Sequence, residues 1–261
     1  MSVDRAAQAK DGAGGGGEAP HDKIFAEEKG PIQDFDFGAR TAAVFDDMLH
    51  RSVPYYDQMQ QMIEELAGDF AAPGSAVYDL GCSTGTTLAR IGKRIPDSTV
   101  RLVGLDNSPE MLDQAREKLT EEGLISRVDL REVDLNGELH VEDASVVLLV
   151  LTLQFVRPLH RERLLRSLVA GMRPGGCLFL VEKVLGANST LNRLFIEHYY
   201  EMKRSNGYSQ MEIARKREAL ENVLVPYRLD ENLELLKVAG FGTVEVFFKW
   251  YNFCGLIAVK G

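Results

Sequence analysis

The chain has 261 residues and a mass of 29.0 kDa, a size at which a single hydrophobic core is the usual arrangement. Hydrophobic residues make up 45% and charged residues 26%, which excludes a disordered or fibrous polymer. The longest apolar run, residues 146–153, is far shorter than the roughly 18 residues that a membrane-spanning helix needs. Thirty Lys and Arg against 39 Asp and Glu give a net charge of −9, which disfavours direct binding to nucleic acid or a phosphate-rich surface.

Residues 1–34 are predicted to form a flexible leader, because they contain the glycine run 14–17 and scattered charges but no apolar stretch. The folded domain is predicted over residues 35–261. It begins with a helical cap over 35–72, where apolar residues recur in two amphipathic stretches.

The rest of the domain alternates between strand-like and helix-like segments. Strands are predicted over residues 77–80, 100–105, 128–135, 145–153 and 177–184. Helices are predicted over residues 86–94 and 158–170 and after the cap Ser108-Pro109. This alternation predicts an α/β, Rossmann-like fold with a mostly parallel sheet. A helical insertion over 188–228, a helix over 232–239 and an antiparallel hairpin of 244–250 with 252–259 complete the prediction.

The most informative motif runs from the first predicted strand into the turn Gly81-Cys82-Ser83-Thr84-Gly85. Glycines let a backbone approach a ligand closely. Asp106 ends the second predicted strand, 21 residues after Gly85. Its carboxylate can accept hydrogen bonds from both ribose hydroxyls. The two features together predict a nucleoside-containing cofactor.

An acidic residue, Asp79, precedes this turn, which also lacks the G-x-G-x-x-G spacing of dinucleotide sites. A carboxylate there would repel pyrophosphate and attract an ammonium or sulfonium group, which favours S-adenosylmethionine over NAD. The motif resembles that of class I S-adenosylmethionine-dependent methyltransferases, which usually have a glycine where this chain has Ser83. That resemblance implies that Asp134 and Leu135 flank the adenine. A Rossmann-like sheet with an incidental turn and no ligand is the alternative.

Further strings, spread over most of the predicted domain, resemble the carboxy-S-adenosylmethionine synthase family, in which a serine at position 83 is expected. The strings are residues 44–48, 51–56, 78–83, 106–109, 152–155, 182–183, 203–209, 216–217, 220–223 and 251–253. The resemblance implies an enzyme that binds S-adenosylmethionine and prephenate and moves the prephenate carboxyl group to the sulfonium methyl carbon through a sulfonium ylide. It also implies a homodimer whose product serves a separate enzyme that modifies the wobble uridine of certain tRNAs.

The same resemblance implies the roles of particular residues. Arg217 matches the arginine that binds the carboxylate, whether in its own subunit or across the interface, and Tyr56 matches a tyrosine of the cap. A guanidinium suits a carboxylate because its planar fork donates two charge-assisted hydrogen bonds. The expected cofactor contacts are Tyr56, Gly81, Cys82, Ser83, Asp106, Asn107, Asp134, Leu135, Val150 and Arg217.

The chain departs from the family pattern at Val150, where an asparagine is usual. Either neighbouring backbone groups compensate or the ligand differs, so an ordinary methyltransferase acting on a small carboxylate stays an alternative. A non-catalytic cofactor-binding protein is a third hypothesis.

Several of these residues also have plain structural interpretations. Arg217 could belong to a solvated helix face and Tyr56 could be an aromatic plug of the cap. Cys82 is expected to contact the cofactor through its backbone, and His198 to pack or face water. Lys203 and Arg204 either attract an anionic substrate or solvate a helix.

The three cysteines, Cys82, Cys177 and Cys254, are an odd number, are far apart and include no Cys-x-x-Cys pair. They predict no disulfide framework and no metal site, and they favour a reducing cytoplasm.

Overall fold

A computed structural model describes residues 21–27 and 31–261. The strands are β1 (Ala76–Leu80), β2 (Arg101–Asp106), β3 (Val128–Glu132), β4 (Ala144–Val150), β5 (Met172–Lys183), β6 (Thr243–Trp250) and β7 (Phe253–Val259). They form one seven-stranded sheet in the order β3-β2-β1-β4-β5-β7-β6. The first five strands pair in parallel, and β7 is antiparallel to both β5 and β6. The predicted Rossmann-like architecture with a closing hairpin is confirmed.

The helices are α1 (Ile24–Glu27), α2 (Ala39–Ala42), α3 (Phe45–Ser52), α4 (Tyr56–Phe70), α5 (Thr86–Arg94), α6 (Pro109–Glu121), α7 (Pro158–Gly171), α8 (Ser189–Ser205), α9 (Gln210–Leu220) and α10 (Leu229–Ala239). Helices α2 to α4 lie within the predicted cap, and α8 and α9 lie within the predicted insertion. Within residues 21–27 and 31–261, no helix combines the length and the apolar character required to cross a membrane.

Side-chain caps explain where several helices begin. The Ser108 side chain accepts a hydrogen bond from the backbone N–H of Met111, and Pro109 occupies the first turn of α6. Ser209 and Glu212 form a reciprocal capping box at the start of α9. Each such cap satisfies backbone N–H groups that a helix leaves unpaired and contributes about 1 kcal/mol.

The sheet has a hydrophobic core on each face. Helices α7 and α10 cover one face, and α4, α5 and α6 cover the other. Successive residues of β4 alternate between the two cores, so that this strand is buried on both sides. Such burial is typical of parallel strands covered by helices.

The predicted leader is wrong for residues 21–27. Asp22 and Phe25 are only 2% and 5% exposed, and α1 packs against α9. The segment is short and largely polar, so no apolar periodicity marks it in the sequence. Residues 1–20 and 28–30 lie outside the described residues.

Three predicted strand boundaries also differ from the structure. β3 ends at Glu132 rather than at 135. β4 ends at Val150 because Leu151 adopts a left-handed conformation, with φ of 60°, that a strand cannot continue. β5 begins at Met172 and includes the turn expected over 172–176, where the register shifts and Gly175 has φ of 75°.

Candidate active site

A cavity opens at the carboxyl ends of the parallel strands, beneath the cap formed by α3 and α4 and beside α9. The strand order reverses between β1 and β4, and ligands of open α/β sheets bind at such a switch point. Nine of the ten predicted site residues line this cavity. They are Tyr56, Gly81, Cys82, Ser83, Asp106, Asn107, Asp134, Leu135 and Val150.

The glycine-rich turn after β1 is shaped by close contacts. Gly81 has φ of 73°, and a β-carbon at this position would lie 2.5 Å from side-chain atoms of Thr152. Glycine is therefore required there by both conformation and space. Ser83 has φ of 49°, and Gly85, with φ of 76°, leads into α5. The turn thus presents backbone rather than bulky side chains to the cavity.

Asp106, at the end of β2, is held in one orientation by the backbone. Its two carboxylate oxygens accept hydrogen bonds from the N–H groups of Ser83 and Ser108, at 2.9 and 3.0 Å. Burial raises the pKa of Asp106, whereas these backbone donors oppose the rise. Because each carboxylate oxygen has a further lone pair, the group can still accept hydrogen bonds from ribose hydroxyls.

Asp79, on β1, is a buried carboxyl group without a partner. Only 2% of the residue is exposed, and its side chain makes no hydrogen bond or ion pair within the described part of the chain. Burial, and then the nearby charge of Asp106, raise the pKa of Asp79 to about 7. A cationic ligand in the cavity would relieve both effects. The sulfonium and ammonium groups of S-adenosylmethionine fit this requirement.

Tyr56 begins α4, directly after the left-handed residue Tyr55. Its hydroxyl oxygen accepts a hydrogen bond from Gln60 Nε2 at 3.1 Å, and the ring meets that of His50 edge-on. Burial raises the pKa of Tyr56, so the hydroxyl is neutral and retains a proton that it can donate. Tyr56 therefore packs within the cap and lines the cavity, and its contact with a ligand stays a prediction.

Other predicted contacts lie at the mouth and floor of the cavity. Asn107 and Asp134 are exposed, and Asp134 accepts a hydrogen bond from the backbone of Asn136, whereas Leu135 is buried. The carbonyl of Val150 accepts a hydrogen bond from Thr152 Oγ1 at 3.2 Å. This carbonyl is a backbone group that any residue would supply, so the side-chain position of Val150 itself is apolar.

Arg217 is not part of the cavity of its own chain. The residue is exposed on α9, whereas the preceding residue, Lys216, is buried and lines the cavity. Neighbouring residues on a helix differ by about 100° in direction, which explains the contrast. The single chain therefore does not place Arg217 in the lining of its own cavity. Contact across a subunit interface stays a prediction.

Two further residues have no catalytic geometry. Burial raises the pKa of the Cys82 thiol, which keeps it protonated and unreactive. His198 is exposed and stacks on Tyr251, with ring centroids 4.9 Å apart, away from the residues that line the cavity.

Comparisons with known proteins identify the family. The chain is 55% identical to the carboxy-S-adenosyl-L-methionine synthase of Methylococcus capsulatus over 92% of its length and 99% of the relative. It is 44% identical to the synthase of Desulfotalea psychrophila, over 92% and 97% of the two chains. The chain belongs to the carboxy-S-adenosyl-L-methionine synthase family. Within this family it is a transferase whose cofactor is S-adenosyl-L-methionine.

More distant similarity agrees with the fold. The model of a methyltransferase domain matches residues 77–176. The structure of an O-methyltransferase family protein from Burkholderia thailandensis superimposes with a TM-score of 0.61 at 21% identity, covering 85% of this chain and 60% of that one. At this identity the likeness concerns the architecture alone.

In this family member, the cap is tied to the glycine-rich turn by an interaction that the sequence analysis missed. Asp46 on α3 accepts hydrogen bonds from Thr84 Oγ1 at 2.6 Å and from Lys118 Nζ at 2.6 Å. Burial opposes ionisation, but Lys118 and the threonine hydroxyls outweigh it and lower the pKa of Asp46. The string 44–48 marked the position, but nothing local in it indicates partners on the glycine-rich turn and on α6.

Proposed function

We propose that the protein makes carboxy-S-adenosyl-L-methionine from S-adenosyl-L-methionine and prephenate. The observation that carries the proposal is Asp79, a buried carboxyl group with no partner among the described residues, beside Asp106 in the cavity of a carboxy-S-adenosyl-L-methionine synthase family member. Such a pair suits a ligand that is positively charged at sulfur and nitrogen.

The reaction balances without a further reagent. Prephenate loses its ring carboxyl group as carbon dioxide and its ring hydroxyl as hydroxide, and the ring becomes the aromatic ring of phenylpyruvate. The hydroxide accepts a proton from the sulfonium methyl group and becomes water. The resulting ylide carbon then forms the new carbon–carbon bond with carbon dioxide.

In this proposal each of the cavity residues contacts a different part of the ligand. Asp106 binds the ribose hydroxyls, and Asp134 and Leu135 flank the adenine at the mouth. Asp79 holds the cationic part of the cofactor, and the glycine-rich turn lets the ligand lie against the backbone of Gly81, Cys82 and Ser83. Tyr56 donates its hydroxyl proton to an acceptor on the ligand. Enclosure beneath the cap limits water that would compete for the reactive carbon.

We further propose that the protein is a homodimer in which Arg217 enters the cavity of the partner subunit. Its exposure on α9, next to a residue that lines the cavity, supports this arrangement. Complementation provides the test. At a limiting concentration of S-adenosylmethionine, Arg217→Ala and Asp106→Ala chains are each nearly inactive alone. When mixed and refolded they should regain about a quarter of wild-type activity, because half of the dimers then hold one complete site. No recovery would contradict contact across the interface.

The proposed setting is the cytoplasm, where the product would serve a separate tRNA-modifying enzyme. Cys82, Cys177 and Cys254 are buried and unpaired, which suits a reducing compartment. The net charge of −9 suits an enzyme that leaves the tRNA to its partner.

The experiment that tests the reaction uses prephenate labelled with ¹³C in its ring carboxyl group. We expect the label in an S-adenosylmethionine derivative that carries one carboxyl group in place of a hydrogen, together with phenylpyruvate, by mass spectrometry. S-Adenosylhomocysteine and a methylated carboxylate would instead support a methyltransferase, the candidate that Val150 favours. Release of labelled carbon dioxide without capture would contradict the synthase reaction.

A further inference from the structure

A cluster of three lysines lies on the side of the cavity away from the ribose-binding aspartate. Lys183 ends β5, Lys216 lies on α9, and both line the cavity. Lys203 on α8 lies behind them and is only 4% exposed. Two strand spacings, roughly 10 Å, separate β5 from β1, which carries Asp79. The cluster is therefore distinct from the acidic side of the cavity.

The lysine ammonium groups surround two buried tyrosine rings. Lys183 Nζ lies 4.4 Å from the centroid of Tyr199, and Lys203 Nζ lies 4.9 Å from that of Tyr208. Lys216 Nζ lies 3.3 Å from Ser52 Oγ. These contacts hold the ammonium groups in place, but aromatic rings and a hydroxyl only partly compensate for lost hydration.

The cluster has more positive than negative charge. Asp22, which is 2% exposed, lies 3.9 Å from Lys216 Nζ. Its carboxylate also accepts a hydrogen bond from the Tyr208 hydroxyl at 2.5 Å. Across residues 21–27 and 31–261, neither Lys183 Nζ nor Lys203 Nζ has a hydrogen bond or an ion pair. Lys183 lines the cavity with no anion beside its ammonium group in the described residues, so its position points to an anionic ligand.

We propose that Lys183 and Lys216 bind the carboxylate that the second substrate retains after transfer, with Lys203 as a positioning residue behind them. The inference rests on the proposed function and adds to it the site of the second substrate. A dicarboxylate would place its reacting carboxyl group toward the sulfonium and its other carboxylate on the two ammonium groups. Neither lysine belongs to the cofactor-binding set predicted from the sequence.

A carboxylate could also come from the methionine part of the cofactor, so the test measures both ligands. Lys183→Gln and Lys216→Gln are compared with wild type and with Lys237→Gln, which removes an exposed lysine from α10. We expect both cavity variants to raise the KM for prephenate and the Kd for phenylpyruvate by at least about tenfold, because each loses a hydrogen bond to a charged group. The Kd for S-adenosylmethionine should stay within about twofold of wild type.

A second pair of variants separates binding from folding. Lys183→Met keeps the length of the side chain without its charge and should keep or raise the melting temperature of the ligand-free protein. Lys216→Met should lower it, because Asp22 loses its ion-pair partner. Lys183→Arg should restore part of the phenylpyruvate affinity. A merely structural lysine would show neither the gain in stability nor the rescue.

Three results would overturn the proposal. The cavity variants could weaken S-adenosylmethionine and leave phenylpyruvate unchanged, which would assign the lysines to the methionine carboxylate. The cavity variants could have the same KM for prephenate and the same Kd values as the control variant Lys237→Gln. The wild-type protein could bind no phenylpyruvate. By contrast, a wild-type protein that binds phenylpyruvate through these lysines but forms no carboxy-product would contradict the proposed reaction and leave the carboxylate site standing.

Discussion

The two sides of the cavity differ in charge and in the way the chain builds them. The acidic side, defined by Asp79 and Asp106, comes from the ends of two adjacent strands, β1 and β2. The basic side, defined by Lys183 and Lys216, comes from the end of β5 and from an inserted helix. This division matches a reaction between a cationic cofactor and an anionic substrate, since each ligand finds the opposite charge. Substitutions on one side of the cavity should therefore weaken the binding of one ligand and leave the binding of the other unchanged.

The largest effect is expected from Arg217→Ala, which removes a guanidinium that belongs to neither side within one chain. Formation of the carboxy-product should fall on the order of a hundredfold or more, because a carboxylate would lose its bidentate partner. Affinity for S-adenosylmethionine should remain. Arg204→Ala, at an exposed position on α8, is the matched control. Undiminished product formation would show that Arg217 has no role in capture.

Asp106→Ala should weaken S-adenosylmethionine binding by about a hundredfold, because two hydrogen bonds between ribose hydroxyls and a charged acceptor are lost. Isothermal titration calorimetry measures the change, with Asp113→Ala on the exposed side of α6 as control. Phenylpyruvate affinity should not change. An unaltered Kd for the cofactor would contradict the ribose assignment.

The basic side predicts a loss of substrate affinity at high pH. Burial lowers the pKa of Lys183 and of Lys216 to about 8, the latter with Asp22 opposing and Lys183 adding to the shift. Above pH 8 the ammonium groups lose their protons, so the KM for prephenate should rise about tenfold between pH 7 and pH 9.

Glu182, next to Lys183 on β5, also titrates in this window because burial raises its pKa to about 8. The neighbouring lysine and tyrosines do not. The pKa of Lys203 is lowered to about 6, by burial first and then by the charges of Lys216 and Lys183. Burial raises the pKa values of Tyr199 and Tyr208 above the window from pH 7 to pH 9. The other charged groups near the cluster are Asp22, Asp47, Arg51 and Glu212. The Lys183→Arg, Lys216→Arg double variant keeps its charge and should show a flat profile, whereas equal slopes in both proteins would contradict the assignment.

The acidic side predicts the opposite pH dependence, with a smaller effect. The pKa of Asp79 is raised to about 7 by burial and by Asp106, so the carboxyl group is charged above pH 7 and neutral below it. The Kd for S-adenosylmethionine should therefore rise severalfold, at most about tenfold, from pH 8 to pH 6. In Asp79→Asn the affinity should be lower and independent of pH. If the Kd of Asp79→Asn for S-adenosylmethionine still changed with pH, another titrating group would be responsible.

The smallest effect is expected from Val150→Asn, which introduces the residue that the sequence resemblance leads us to expect. A single added neutral hydrogen bond contributes only about 1 kcal/mol, so kcat/KM should change by no more than about fivefold. A larger gain in initial rate would mean that the amide acts on the reacting groups beyond one ordinary hydrogen bond.

The comparison also explains what the sequence could predict. The order of strands and of all helices but α1 was accessible because most elements carry their own apolar pattern and a few helices begin at a side-chain cap. The acidic side was accessible because its residues flank one short turn and the next strand end. The basic side was not, because Lys183 and Lys216 are 33 positions apart and only the insertion brings them together. Asp22 was missed for a related reason, since it lies in a polar segment whose partners, Tyr208 and Asp47, are distant in the chain.

The most direct test of the account is mass spectrometry of the small molecule that denaturation releases from the purified protein. The proposed division of charge predicts S-adenosylmethionine carrying one carboxyl group in place of a methyl hydrogen, a molecule with a sulfonium for the acidic side and a new carboxylate for the capturing arginine. S-Adenosylhomocysteine as the released ligand, unchanged after incubation with S-adenosylmethionine and prephenate, would contradict it.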